Sequence, residues 1–337
     1  MSYKKNTSKL IIEIGVNHNG NIKFAKKMID VISKYDVDYV KFQSFLTDEL
    51  CVKNAKLAQY QKKNLNQNIS QFQMLKKYEL NYRDHSILYN YCKKKKIKFV
   101  SSVFGYKSFN LYNKFKTDFV KIPSGEINNI PFLKFLDNFN KNIILSTGMA
   151  TQKEITNAVN ILKKTKNKRK LTLMHCISSY PAKFDEMNLN SIKFLKKKYN
   201  LNVGLSDHTD STVIPFMANI IGADYIEKHF TLNKSLIGPD HKASIDEAQL
   251  KEIVYSIKNK KKVYGIFGKF VSKSEKINKL IVRKSIYASK NILKNEKFTS
   301  NNICLKRPSN GLSGNKFYKI IGRKAKKNFV KDELIKF

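Results

Sequence analysis

Eight short, β-rich apolar runs, each followed by a segment long enough for a helix, constrain this chain more than any other feature. The runs fall at 10–15 (LIIEIG), 37–43 (VDYVKFQ), 98–104 (KFVSSVF), 118–126 (DFVKIPSGE), 143–149 (IILSTGM), 171–176 (LTLMHC), 202–208 (NVGLSDH) and 225–230 (YIEKHF). Eight consecutive βα units close into a barrel, and an α/β fold of the (β/α)8 TIM-barrel type is the expectation. In such a barrel the residues at the C-terminal ends of the strands build the active site. Here those ends carry Glu13, Lys41, Gln43, Lys121, Ser124, Ser146, Ser206, His208 and His229 instead of turn residues, which reads as an enzyme.

Helices are expected where apolar residues recur at three- and four-residue spacing: Phe24, Met28, Ile29 and Ile32; a stretch from Phe72, Met74 and Leu75 to about Cys92; Ile155, Val159, Ile161 and Leu162; and 246–264. The segment 46–70 is long and polar for a connection after a strand, and long loops at that end of a barrel cover ligands. The expected domains are a barrel over 1–265, a lysine-rich linker over 266–280 and a small β-rich module over 281–337, where the texture changes to short runs broken by Asn and Gly.

The 337 residues carry 65 Lys and Arg against 26 Asp and Glu, a net charge of +39. Only Arg83, Arg169, Arg283, Arg307 and Arg323 are arginines, whereas planar readout of phosphates and bases favours arginine, so a solvated lysine-biased surface is expected and no nucleic-acid partner. No run approaches the ~20 apolar residues of a membrane helix, and the start of the chain lacks the apolar stretch of a signal peptide. A cytoplasmic protein without a membrane partner is expected. Cys51, Cys92, Cys176 and Cys304 are scattered without a CxxC pair and are expected to be free thiols.

His208 and His229 end neighbouring strands, and two imidazoles facing one barrel mouth suit a divalent metal with open positions. Lysines buried at strand ends require an anion, since an unpaired ammonium is costly to bury. Lys41 and Lys121, with the hydroxyls and N–H groups of Ser124, Gly125, Ser146, Thr147 and Gly148, therefore expect a phosphate or carboxylate; the alternative is a structural network with Glu13 and Glu126. Glu13 and Glu126 are candidates for proton transfer. Asn17 and His18 read as turn-forming and capping residues, while His175 and Tyr180 fit either a sugar pocket or the core.

The motifs IIEIGVNHNG, VKFQ, KIPSGEINN, ILSTGMA, GLSDHT, IEKHF and GPDHKAS, in that order, resemble the sialic acid synthase family, and the tail RKSIYASKNILKNEKFTSNNICLKRPSNGL resembles its C-terminal antifreeze-like (SAF, β-clip) domain. The resemblance implies condensation of phosphoenolpyruvate with an open-chain N-acetyl hexosamine plus water to a nine-carbon 2-keto acid and phosphate. It implies a divalent metal, Mn2+ or in its place Mg2+ or Co2+, on His208 and His229. Phosphoenolpyruvate would be bound by Lys41, Gln43, Lys121, Ser124, Ser146 and Ser206, with Glu13, Glu126 and Asp240 as catalytic carboxylates. Tyr180, Asp240 and Arg307 would contact the sugar, Arg307 reaching from one subunit into the barrel of its partner in a domain-swapped homodimer. N-acetylmannosamine, and so an N-acetylneuraminate synthase, is the leading expectation. A legionaminate synthase acting on 2,4-diacetamido-2,4,6-trideoxymannose is the alternative, ahead of a pseudaminate synthase or another phosphoenolpyruvate-condensing sugar acid synthase. Ser178 departs from the Asn that bacterial N-acetylneuraminate synthases carry there. Outside enzymes, a polyanion- or sugar-binding barrel that has lost catalysis is disfavoured by its buried lysines.

Overall fold

The structure, a computed structural model, describes residues 7–65, 67–163 and 170–336; the first six residues and Arg169 lie outside them. The chain divides into two compact units, one ending at Gly265 and one running from Ile266.

In the first unit eight parallel strands close a barrel in sequence order: β1 (Lys9–Gly15), β2 (Tyr39–Ser44), β3 (Lys98–Val103), β4 (Val120–Ile122), β5 (Ile143–Ser146), β6 (Leu171–Cys176), β7 (Asn202–Asp207) and β8 (Tyr225–His229). Side chains alternate across each strand. Along β1, Leu10, Ile12 and Ile14 face outward and pack with Ala25, Met28, Ile29 and Ile32 of the helix Ile22–Ile32. Those four lie on one helical face at three- and four-residue spacing, and burying each of Met28, Ile29 and Ile32 contributes about 1.5–3 kcal/mol. Ile11 faces inward, where it joins Tyr39, Val100, Phe119, Ile144 and Met174 in an apolar plug. Two residues further along the same strands come the inward polar residues, so one period-two rule fills the barrel base with hydrocarbon and its mouth with chemistry.

Several expected boundaries shift for local reasons. β4 stops at Ile122 because Pro123 lacks an N–H for the ladder, and Ser124–Glu126 turns as a 3-10 helix. The stretch expected as one helix to Cys92 is two, Gln71–Tyr78 and Tyr82–Lys94, because Asn81 and Asp84 form a capping box that restarts the helix. The cap of the first helix is Asn21, whose side chain accepts from the Phe24 N–H. Asn17 instead ties the end of β1 to the chain that follows its neighbour β8, through Phe230 O (2.9 Å) and Ser244 Oγ (2.7 Å). His18 Nδ1 accepts from the Gly20 N–H, as a turn former should. The segment read as a linker includes the helix Lys273–Val282, started by a Ser272/Glu275 capping box.

The second unit pairs β9 (Ser285–Ala288) with β10 (Ile303–Lys306) antiparallel, over a core of Ile286, Ile292, Phe298, Ile303, Ile320, Phe329 and Ile335. All four cysteines are free. Among the described residues no helix is long and apolar enough to cross a membrane.

His85, on the helix Tyr82–Lys94, is fully buried edge-on to Phe99, and neither ring nitrogen has a hydrogen-bond partner. Burial, with a smaller push from His18, lowers its pKa to about 3. Between about pH 3 and 6.5 the unfolded chain therefore binds a proton that the folded chain refuses. Stability from this site is complete above pH 6.5 and falls as pH drops, by up to about 1.4 kcal/mol per pH unit. His85→Leu should leave the melting temperature at pH 7.5 equal or higher and should flatten the loss between pH 6.5 and 4.5, read by thermal melts at both pH values. An unchanged pH slope would clear His85 of this role.

Candidate active site

The C-terminal mouth of the barrel holds a cavity of about 380 Å3. The sheet register assembles its floor: Glu13 stands beside Lys41 on one side and His229 on the other, Ser102 beside Lys121, and Ser206 beside Glu227. Strand positions far apart in sequence thus share one inward layer. A larger cavity, about 570 Å3, lies at the opposite end of the barrel. Its carboxylates Asp118 and Asp224 are already paired with Lys98 and Lys196, each at 2.7 Å, and it holds none of the strand-end residues.

Two buried lysines face two buried carboxylates. Lys41 Nζ lies 2.7 Å from Glu13 Oε2 and donates to Ser102 Oγ at 2.8 Å. Lys121 Nζ donates to Ser146 Oγ at 2.6 Å, but its nearest carboxylate oxygen, on Glu227, is 3.6 Å away; Glu227 is also 3.7 Å from Lys41. The lysines therefore pair with Glu13 and Glu227; of the alternative structural network, the Glu13 pair forms and the Glu126 one does not. Glu126, in the 3-10 turn that follows β4, accepts instead from Asn129 Nδ2 at 2.7 Å, and burial raises its pKa.

The electrostatics separate the two lysines. Burial works against the Lys41 charge, yet Glu13 and Glu227 outweigh it and hold the ammonium above its ordinary pKa. For Lys121 burial wins, only partly offset by Glu227, and its pKa falls. Burial would raise Glu227, but Lys121, Lys41 and the Ser206 hydroxyl bring it down to about 2. Lys121 is thus the less compensated cation, and an incoming anion gains most there.

Serine hydroxyls ring this cage. Ser206 donates to Glu227 at 2.8 Å, and Ser124 accepts from the Gly148 N–H at 2.9 Å. Gly148 is required by close approach, since a methyl on its Cα would run into Ser178, Cys176 and Ser124. Thr147 is committed elsewhere: its N–H and hydroxyl both donate to Met174 O.

The histidine rings of β7 and β8 are 5.5 Å apart between centroids. His208 Nδ1 donates to Ile177 O at 2.7 Å, which leaves the Nε2 lone pair facing the cavity side, 3.3 Å from the Ser206 hydroxyl that also donates to Glu227. His229 Nδ1 is buried without a hydrogen-bond partner, 3.9 Å from Asp240 Oδ2. Burial, chiefly, lowers both pKa values, that of His208 to about 4, so both rings are neutral near pH 7. Burial, and then Glu13, raises Asp240 to about 7. Neutral imidazoles with one orphaned nitrogen on His229 and one lone pair on His208 that only a long serine contact occupies fit a divalent metal. No cluster of three or more His, Cys, Asp or Glu donors exists among the described residues, so a metal here would keep positions open.

Tyr180 covers this pair, with its ring 4.2 Å from that of His208 and stacked on Tyr60 at 5.0 Å. Tyr60 belongs to the helix Gln59–Leu65 within the long polar segment after β2, which lines the cavity as expected of a covering loop. His175 does not reach the cavity: its Nε2 bonds Met187 O at 2.7 Å. Arg307 is exposed on the second unit. The sequence reading passed over Glu227, Ser102 and Tyr60. Counting back two residues from His229 would have found Glu227, because alternation turns it inward with His229; Lys228 turns outward to Asp207, 2.7 Å away.

Comparison with known proteins agrees with this geometry. Residues 28–269 match the NeuB family model, and residues 283–337 match the SAF domain. The chain is 45% identical to N,N'-diacetyllegionaminic acid synthase of Campylobacter jejuni, over 97% of this chain and 98% of that protein. It is 36% identical to the enzyme of the same name from Legionella pneumophila, over 95% and 90%. Among solved structures, the N-acetylneuraminic acid synthetase of Leptospira borgpetersenii matches at TM-score 0.69 and 30% identity, over 81% of this chain and 90% of that one. With strand-end residues, barrel and tail domain in agreement, the chain belongs to the NeuB family of C–C bond-forming sialic-acid-type synthases and ends in a SAF domain.

Proposed function

We propose that this chain condenses phosphoenolpyruvate with open-chain 2,4-diacetamido-2,4,6-trideoxymannose and water, giving a nine-carbon legionaminate-type 2-keto acid and inorganic phosphate. One observation carries the reaction: a lysine–serine cage with one under-compensated ammonium adjoins two neutral imidazoles in a single cavity. The choice of sugar rests on similarity. The two legionaminic acid synthases, at 45% and 36% identity over nearly the whole chain, support this alternative better than the N-acetylmannosamine reading expected from the motifs.

Lys121, Ser146, Ser124 and Ser206 hold the phosphate and carboxylate of phosphoenolpyruvate, while Lys41 is kept charged by Glu13 and steadies the same anion. Held in attack geometry, C3 of phosphoenolpyruvate forms the new bond to the sugar aldehyde carbon, and two oriented substrates take about 7–11 kcal/mol off the barrier. Positive charge then builds at C2, where the buried carboxylates Glu13 and Glu227 oppose it. Water adds at C2 and phosphate leaves. Glu13 and Asp240, beside the histidine pair, exchange protons with that water and with the former aldehyde oxygen. A divalent metal (Mn2+, or Mg2+ or Co2+) held by His208 and His229 would supply Lewis-acid polarisation of the aldehyde. Tyr180 packs its ring against His208, with the centroids 4.2 Å apart, and limits its movement.

The working unit we propose is a homodimer in which Arg307 clamps the sugar bound in the partner's barrel. Exposed apolar residues at the start of the second unit, Phe267, Phe270, Ile277, Leu280 and Ile281, support a covering partner surface.

The deciding assay is phosphate release from phosphoenolpyruvate with a panel of N-acetylated sugars: 2,4-diacetamido-2,4,6-trideoxymannose should give the highest kcat/KM, and a preference for N-acetylmannosamine would restore the first expectation. Chelation should abolish turnover and Mn2+ or Co2+ should restore it. Calorimetric titration of the metal-free protein with Mn2+ should find one site per chain that His208→Ala removes. Full turnover after exhaustive metal removal would exclude the metal.

A further inference from the structure

Three glutamines line the cavity, and only one is uncommitted. Gln43 Nε2 donates to Glu13 Oε1 at 3.2 Å. Gln61 accepts from the Ala58 N–H at 3.0 Å and donates to the Tyr60 hydroxyl at 3.3 Å. Gln71 is the first residue of the helix Gln71–Tyr78, and that helix start is already secured by Ser70 and Gln73 in a capping box. Its backbone N–H donates to Ala55 O at 2.8 Å. The Gln71 side-chain amide makes no hydrogen bond with any described residue, so the fold has no use for it, yet it borders the cavity.

We infer that Gln71 reads the second acetamido group of the sugar and makes this site selective for a 2,4-diacetamido substrate. The inference rests on the reading of the reaction given above. In that reading the aldehyde carbon lies at the histidine pair, and an open chain extending from there towards the mouth carries C4 and C6 outward. At the mouth an acetamido group offers one N–H donor and one carbonyl acceptor, and a primary amide is complementary to both. A hydroxyl at the same carbon, as in N-acetylmannosamine, offers one short arm. The same cavity also has apolar lining from Ala58, Phe104 and Met149, which suits the methyl that ends a 6-deoxy sugar. Met149 is largely exposed there and held at φ 60°, a left-handed conformation unusual for a residue with a side chain. Gln71 is only half-buried, so water can replace a missing partner; the discrimination is accordingly modest, about tenfold, and not the thousands of a sealed polar pocket.

The test uses the full-length protein with saturating phosphoenolpyruvate and two sugars, 2,4-diacetamido-2,4,6-trideoxymannose and N-acetylmannosamine. Gln71→Leu should raise KM for the diacetamido sugar about tenfold with kcat within about twofold, and should leave the N-acetylmannosamine constants within about twofold. Gln71→Asn, which keeps a shortened amide, should recover part of the loss. Gln71→Ala serves as a second probe, and melting temperatures check that all three fold. Equal losses for both sugars, a fall in kcat alone, or no change would remove Gln71 from substrate reading. If the wild type prefers the diacetamido sugar and Gln71→Leu keeps that preference, only this inference fails. If the wild type prefers N-acetylmannosamine, or uses neither sugar, the underlying reading fails and takes the inference with it.

Discussion

Replacing Lys121 with Met is expected to cost about 2–5 kcal/mol in kcat/KM for phosphoenolpyruvate, with a much smaller change for the sugar. The methionine keeps most of the stem and removes the charge that the cavity compensates least. Glu227 is then left with Lys41 at 3.7 Å and the Ser206 hydroxyl at 2.8 Å, so the fold survives. Lys41→Met makes an instructive contrast. It leaves Glu13 with only the Gln43 amide at 3.2 Å and no close cation, where its partner was at 2.7 Å in a fully buried pair, and breaking such a pair costs about 3–5 kcal/mol of stability. Steady-state kinetics with each substrate varied in turn, together with thermal melts, separate the two. Lys121→Met should melt near the wild type and bind phosphoenolpyruvate poorly; Lys41→Met should melt early. Equal losses for both substrates, or none, would take Lys121 out of the anion site.

The second large effect concerns the tail. If the proposed swapped dimer is the working unit, Arg307→Ala and His208→Ala should each reduce synthase activity to near background, the first by removing the proposed sugar clamp and the second by removing an imidazole of the barrel. Mixed after dissociation and reassociation, the two inactive proteins should regain activity, because one site in each hybrid dimer receives an intact barrel and an intact arginine from different chains. Deleting residues 281–337 should leave a folded barrel that still binds Mn2+ and turns over almost no substrate. If hybrids form, as judged by native mass, and no activity returns, Arg307 does not act across subunits.

Much of this was legible in the residues. Strand alternation and strand-end positions are local properties, carried by each run's own apolar pattern, and they pointed to Lys41, Lys121, Ser146, Ser206, His208 and His229 before any tertiary contact was known. The ordered motifs extended that reading to the family and to the tail domain. Three other points were missed although their causes are local as well. Glu126 resembled a partner for the lysines because it follows Lys121 closely, but Pro123 ends the strand and the 3-10 turn carries the carboxylate to Asn129. His175 precedes Cys176 at the end of β6 and therefore points the other way, out to Met187 O. The capping box at Asn81 split a single apolar stretch into two helices.

By itself, then, the sequence determined the barrel, the inward identity of its strand ends and the family, because period-two alternation is written into each strand separately. Only the tertiary structure decided who pairs with whom. Register between strands more than 20 residues apart brings Glu13 between Lys41 and His229. Barrel closure brings Glu227 into reach of both lysines and leaves Lys121 the less neutralised. The fold of the covering segment carries Tyr60 to Tyr180 and leaves Gln71 with an unused amide at the cavity mouth. These relations depend on distances across the closed sheet, and in a buried, low-dielectric site an ångström of separation decides which charge is satisfied and which awaits a ligand.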